Sequence, residues 1–163
     1  MAGDSVITEG MKALIGYSGE PAVLEVERGA IKRFCGAVGD DNPLFTDAAH
    51  AERGPHGEAV CPPGFFGWPV KTSPVSSPTP NQLVLAEFAK NGFPGLLDGG
   101  VDYELLLPIR AGDVLVSSAR VADIYEREGR AGKSLFGVFE TTYTNQNGDI
   151  VARAFATMIG RPA

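Results

Sequence analysis

The stretch AIKRFCGAVGDDNPLFTD, Ala30 to Asp47, decides how the rest of the chain is read. In its first half Ile31, Phe34, Cys35 and Val38 recur at i, i+3, i+4 and i+7, which predicts an amphipathic helix from about Arg28 to Val38 with those four residues on its buried face. Lys32 and Arg33 fall on the opposite side. Gly39 stands where such a helix turns into a left-handed cap. Gly36 lies inside the helix at a cost of about 1 kcal/mol relative to alanine, which a close approach of neighbouring backbone would offset. After the cap comes Gly39-Asp40-Asp41-Asn42-Pro43-Leu44-Phe45-Thr46-Asp47. Asp47 before Ala48, Ala49, His50 and Ala51 reads as the N-cap of a short helix.

The run from Gly39 to Asp47 resembles the MaoC-like (R)-specific enoyl-thioester hydratases and 3-hydroxyacyl dehydratases of the hot-dog fold, whose active members carry G-D-x-N-P-[LIV]-H and then an acidic residue. Gly39, Asp40, Asn42, Pro43, Leu44 and Asp47 fit that pattern. The resemblance makes Asp40 the match for the aspartate that, with a histidine five positions later, activates the water added to the enoyl β-carbon. The histidine position holds Phe45. Read on local chemistry alone, Asp40 is equally a turn residue whose carboxylate caps nearby N–H groups.

The resemblance continues through Val60-Cys61-Pro62-Pro63-Gly64-Phe65, similar to the apolar pair and Ala-Pro-Pro segment of MaoC-like N-terminal domains, the FAS1-like dehydratase N-terminal type without the histidine. Catalytic members have a His-Gly pair here, and the glycine N–H holds the thioester oxygen as negative charge develops. Pro63 falls on that glycine and has no N–H to give, with Gly64 beside it as the alternative donor. By resemblance Asn42, Phe45, Cys61, Pro63, Gly64 and Phe65 face substrate.

Between Pro62 and Pro94 lie seven of the chain's twelve prolines. So long an excursion predicts a lid or binding segment over 62–94. It includes a well-signalled helix: Thr79 as cap, Pro80 at the first helical position, Gln82 closing a capping box, Leu83, Val84 and Phe88 on an apolar side, and Gly92 as terminator. Toward the N-terminus Ala22–Val26 reads as a brief strand and Met11–Ile15 as a short helical piece. Strands are expected over Val101–Ile109, Val114–Tyr125, Leu135–Thr144 and Ile150–Ile159, with hairpins at Gly129-Arg130-Ala131-Gly132 and Asn147-Gly148. One short strand, a helix, then a block of antiparallel strands is an α+β pattern. With the resemblance, which also takes in Leu97-Asp98-Gly99-Gly100 and Tyr143-Thr144-Asn145-Gln146, it implies a single hot-dog domain over 1–163, core about 12–160: a curved antiparallel sheet wrapped around a long central helix, taken to be Arg28–Val38.

Composition sets the outer bounds. A chain of 163 residues with 44% hydrophobic and 21% charged residues is sized for one domain with a real core. The net charge is −6 and basic residues cluster no more than two at a time, which argues against nucleic acid and anionic membrane as partners. No basic-then-apolar leader and no ~20-residue apolar span are present in the sequence, so a cytoplasmic protein with two reduced cysteines is expected. Two histidines and two cysteines lack any metal-ligand spacing, and no phosphate-cradling glycine loop occurs, so neither metal nor cofactor is expected. His56, five residues before Cys61, offers a Cys–His nucleophile pair; inert packing of a small thiol beside proline competes with it.

The resemblance therefore implies a subunit of an acyl-CoA or acyl-carrier-protein hydratase or dehydratase, a homodimer or a heterodimer with a MaoC-like catalytic subunit. The substrate-binding half of such a pair leads. A self-sufficient homodimeric hydratase using Asp40, and a catalytically silent acyl-thioester-binding or scaffold protein, stand beside it.

Overall fold

The computed structural model describes residues 5–65, 77–130 and 132–163. Among these residues five helices, α1 (Glu9–Leu14), α2 (Arg28–Val38), α3 (Pro43–Thr46), α4 (Ala48–Ala51) and α5 (Pro80–Lys90), accompany five strands, β1 (Ala22–Glu25), β2 (Gly95–Leu105), β3 (Val114–Gly129), β4 (Gly132–Thr144) and β5 (Ile150–Arg161). The strands form one curled antiparallel sheet in the order β1-β3-β4-β5-β2, the half-barrel of a hot-dog domain.

The expected central helix is the wrong one of two. Phe88 and Val84 of α5 are completely buried against Met11, Val121, Leu135 and Phe139. Glycine lies beneath α5 on the sheet, and a Cβ at Gly137 would stand 3.0 Å from Cγ1 of Val84. The helix that the sheet grips most closely is thus α5. The signal lies outside the helix, in the small residues of β4 and β5 that let it approach. The final part of the expected 62–94 lid is therefore core, while 66–76 fall outside the described residues.

α2 has the bounds its periodicity predicts, and ends as predicted: Gly39 takes φ +74° and the Asp40 N–H donates to Cys35 O at 2.9 Å, the six-to-one bond of a Schellman cap. Its buried face is narrower than the spacing suggests. Ile31 and Cys35 are buried, Phe34 is half-buried, and Val38 is 59% exposed. Nothing approaches Gly36 within 4 Å of a built Cβ, so no close packing offsets its cost.

Register puts both helices on one face. Along β4, Leu135, Gly137 and Phe139 meet α5's cluster and Tyr143, of the same parity, meets α2's. α5 takes the end near the β3–β4 hairpin; α2 takes the other end, with Leu24, Leu115, Ala152 and Ala154. In β2 the strand starts at Gly95, six residues before the expected Val101, and stops at Leu105. A bulge between Asp98 and Val101, with Gly100 at φ +100°, hides the alternation of its first half. After Leu105 both Leu106 and Leu107 donate to Val151 O and Pro108 has no N–H, which ends the ladder. The Asn147-Gly148 turn closes a loop in which Asn145 Oδ1 accepts from the N–H groups of Asn147 and Asp149, both at 3.0 Å. Ala131 of the preceding hairpin lies outside the described residues.

Candidate functional site

Asp40 and Asn42 do what turn chemistry dictates. Asp40 Oδ1 accepts the Asn42 N–H at 3.1 Å, and Asn42 Oδ1 accepts the Leu44 N–H at 3.0 Å, capping α3 with Pro43 in its first turn. Asp47 likewise caps α4, accepting from His50 N at 3.1 Å. These caps fold the segment after α2 into two tight turns and carry Leu44 and Phe45 inward. Phe45 packs against the α2 end of the core.

Phe45 and Leu44 form one wall of a cavity of about 310 Å³, within the size range of small-molecule sites. Cys61 and Pro63 form a second wall together with Val60 and Pro62, and Leu105 to Ile109 a third. The second and third walls are tied together by backbone: Cys61 N–H donates to Ile109 O at 2.7 Å, and Val60 bridges to Arg110. Arg110 braces that junction, with Nε 2.6 Å from Glu58 Oε1 and its own N–H donating to Asp113 Oδ2 at 2.8 Å.

Of the residues singled out from sequence, the fold brings Phe45, Cys61 and Pro63 onto this cavity. Asp40, Asn42, Gly64 and Phe65 are not among its lining residues. Gly64, at φ +86°, turns the chain beside Tyr103, and Phe65 is buried edge-on against Phe34, ring centres 5.6 Å apart. Leu105-Leu106-Leu107 is the wall that strand reasoning passes over. The available signal was the loss of alternation there, three leucines in a row before a proline.

The chemistry available in the cavity is sparse. His56 lies exposed at its rim on the Gly57 turn, and Cys61 is its thiol. Burial, then the Asp113 carboxylate and Cys35, push the Cys61 thiol up to about 12, so it stays protonated and un-nucleophilic near neutrality. That favours the packing role of Cys61 over a nucleophilic Cys–His pair. Cys35 is also raised, by burial first and by Asp40 second, and both cysteines are free. Among the described residues no cluster of three metal-ligating side chains occurs, and no helix is long and apolar enough to cross a membrane. Among the described residues the arrangement offers an apolar receptacle, with no paired acid and base on its walls.

The family described as FAS1-like, dehydratase domain region, matches residues 13–154. A UPF0336 protein of Streptomyces coelicolor is 27% identical over 154 residues, covering 93% of this chain and 95% of that protein. A UPF0336 protein of a Parafrankia species is 27% identical over 137 residues, 84% of each. Among solved structures, a chain of the ChsH1-ChsH2 complex from Mycobacterium tuberculosis superposes with a TM-score of 0.79 at 21% identity, covering 94% of this chain and 93% of that one. The HadBC (3R-hydroxyacyl-ACP dehydratase) complex of the same organism gives 0.67 at 22% identity, with 90% and 97% covered. A MaoC-like dehydratase from Rhodospirillum rubrum gives 0.62 at 21%, with 91% and 93% covered.

Proposed function

The chain belongs to the FAS1-like dehydratase family, and from that premise we propose that it is the acyl-binding half of a two-chain hydratase or dehydratase. In this reading it works in the cytoplasm, in fatty-acid metabolism, on enoyl or 3-hydroxyacyl groups carried as thioesters of CoA or acyl-carrier protein. The observation that carries it is Phe45. At the position where the resemblance expects the histidine, an aromatic ring lines an apolar cavity of about 310 Å³.

Hydration of an enoyl thioester needs a base to activate water, an acid for the α-carbon and a donor for the thioester oxygen. Here Phe45 cannot exchange a proton, Pro63 has no N–H, and the Asp40 carboxylate is engaged by the turn outside the lining. Such walls suit an acyl tail and leave the reacting carbons to another chain. A second hot-dog subunit with an intact aspartate and histidine supplies the proton transfers in this scheme. That the similar ChsH1-ChsH2 and HadBC structures are two-chain complexes supports it.

The test separates binding from turnover. Calorimetry with a long-chain acyl-CoA is expected to show binding to the isolated chain, while crotonyl-CoA hydration stays at background until a catalytic hot-dog chain is added. Turnover by the isolated chain on the order of 10 s⁻¹, typical of enzymes at large, overturns the reading.

A further inference from the structure

Over Arg28–Val38 helix α2 carries Arg28, Lys32 and Arg33 and no acidic residue, in a chain whose net charge is −6. All three cations stand within its first two turns and none in its last. The helix dipole favours the reverse, negative charge at the N-terminus and positive charge at the C-terminus. Nothing nearby offsets the misplacement. Glu27 at the N-cap makes no side-chain cap bond, and none of the three cations forms an ion pair among the described residues. Lys12, Lys90, Arg120 and Arg153, by contrast, each have a carboxylate partner. Arg33 lies back along the helix, its Nη1 3.4 Å from where a Cβ on Gly29 would stand, so the charges gather at one end. They repel one another and oppose the dipole, and an anion seated among them removes both penalties.

Position says what kind of anion. Arg28 and Lys32, at i and i+4 on one side of α2, line a small cleft together with Phe45, Thr46, Ala48 and Ala59. Phe45 is also a wall of the apolar cavity. A single aromatic ring therefore stands between an apolar receptacle and a pair of unpaired cations. On its other side Arg28 borders a second cleft, shared with Glu25, Glu27 and Asp113. Those carboxylates repel an anion there and leave the Phe45 side as its approach. The succession of apolar cavity, aromatic divider and cationic cleft follows the succession of groups in an acyl thioester: an apolar tail, an uncharged pantetheine arm, then a phosphate.

We propose that Arg28 and Lys32 bind the phosphate that ends the pantetheine arm, the group that acyl-CoA and acyl-carrier protein share, with Arg33 adding to the field and Phe45 marking where tail gives way to arm. The inference rests on the acyl-binding reading above and adds to it the residues that hold the carrier.

Calorimetry on the full chain compares S-dodecanoyl-pantetheine, which has no phosphate, with S-dodecanoyl-phosphopantetheine and dodecanoyl-CoA. The two phosphorylated ligands are expected to bind about tenfold tighter than the first, an advantage that shrinks as salt rises. R28Q/K32Q is expected to remove the advantage and leave the affinity for S-dodecanoyl-pantetheine as it was. K12Q/K90Q, which takes the same charge from elsewhere, is expected to keep it. Arg28 opposes the helix dipole, so R28Q/K32Q is expected to unfold at no lower temperature, which separates a lost contact from a lost fold. Equal affinity for the phosphopantetheine and CoA thioesters assigns recognition to the phosphate that both carriers share. A further gain with CoA that R28Q/K32Q also removes extends it to the nucleotide phosphates and makes CoA the carrier. A phosphate advantage that survives R28Q/K32Q, that K12Q/K90Q also loses, or that the unaltered chain never shows overturns the proposal. Acyl-free CoA bound as tightly as dodecanoyl-CoA, still through Arg28 and Lys32, instead strikes the acyl-binding reading and leaves the phosphate site standing.

Discussion

Gly160 of β5 lies directly beneath Phe88 of α5: a Cβ on Gly160 would stand 2.7 Å from Cδ2 of the ring. The methyl group of Gly160→Ala therefore has nowhere to go unless the helix moves. The substitution is expected to cost about 1–3 kcal/mol in denaturant unfolding. Phe88→Ala, at a fully buried site, is expected to cost about 3–5 kcal/mol. The double variant should cost less than the sum, because the ring that Gly160→Ala offends is gone. Strict additivity would show that the two residues do not share this contact.

Phe45 offers the direct test of the cavity. Phe45→Ala removes apolar wall and is expected to weaken long-chain acyl-CoA binding about tenfold by calorimetry. Phe45→His restores an imidazole five residues after Asp40 but leaves Asp40 in its turn and Pro63 without an N–H. Crotonyl-CoA hydration by that variant is expected to stay at background; a gain of about 10²-fold, the lower end for placed acid–base catalysis, would mean that Asp40 reaches the substrate.

The two thiols should be silent in the folded protein. With Cys61 at about 12, the thiolate fraction at pH 8 is roughly one in 10⁴. Cys35 is buried and raised as well. A colorimetric disulfide reagent at pH 8 is expected to react over hours with the native chain and at once with two thiols in guanidinium. Rapid loss of one equivalent in the native state would contradict the buried, protonated Cys61.

Glu126 gives a pH dependence of known sign. Its carboxylate takes the Lys133 ammonium on Oε1 at 2.8 Å and the Val6 N–H and Ser5 hydroxyl on Oε2 at 2.7 and 3.0 Å, fixing the N-terminal segment to the β3–β4 hairpin. The Lys133 hydrogen bond first, then that of Val6, hold it down to about 2 from an ordinary 4.5. A depressed carboxyl contributes stability that is complete above the unfolded value and lost as pH falls through the folded one. Val6 amide protection is thus expected to decline between about pH 4.5 and pH 2, and Glu126→Gln to remove that dependence. Protection unchanged down to pH 2 would show that the segment is held by other contacts.

What could be read from sequence was what neighbouring residues settle among themselves. The bounds of α2 follow from its own periodicity and Gly39, and the start of α5 from Thr79, Pro80 and Gln82, whose side-chain Oε1 accepts the Thr79 N–H at 2.9 Å. Which helix the sheet grips depends on Gly137 and Gly160, 47 and 70 residues beyond the end of the helix that needs them, and no periodicity within α2 or α5 reports it. The same holds at the cavity. Phe45, Cys61 and Pro63, which line it, stand in a recognisable local pattern. Leu105 to Leu107 join them through the return of residues 60–61 to residues 109–110, a meeting of segments about fifty residues apart.

The pairing of β1 with β3 bears on how the protein is made. Ala22 pairs with Ser117 and Leu24 with Leu115, so about ninety residues of chain separate the partners. At roughly 5–20 residues per second, a ribosome needs on the order of 5–20 s to synthesise that interval. Throughout it Leu24, Val26, Ile31 and Cys35 have no sheet to cover them, whereas β3, β4 and β5 meet their neighbours through short hairpins as they emerge. The N-terminal third is therefore the part of the nascent chain that calls for chaperone cover, and its docking is the late step of cotranslational folding.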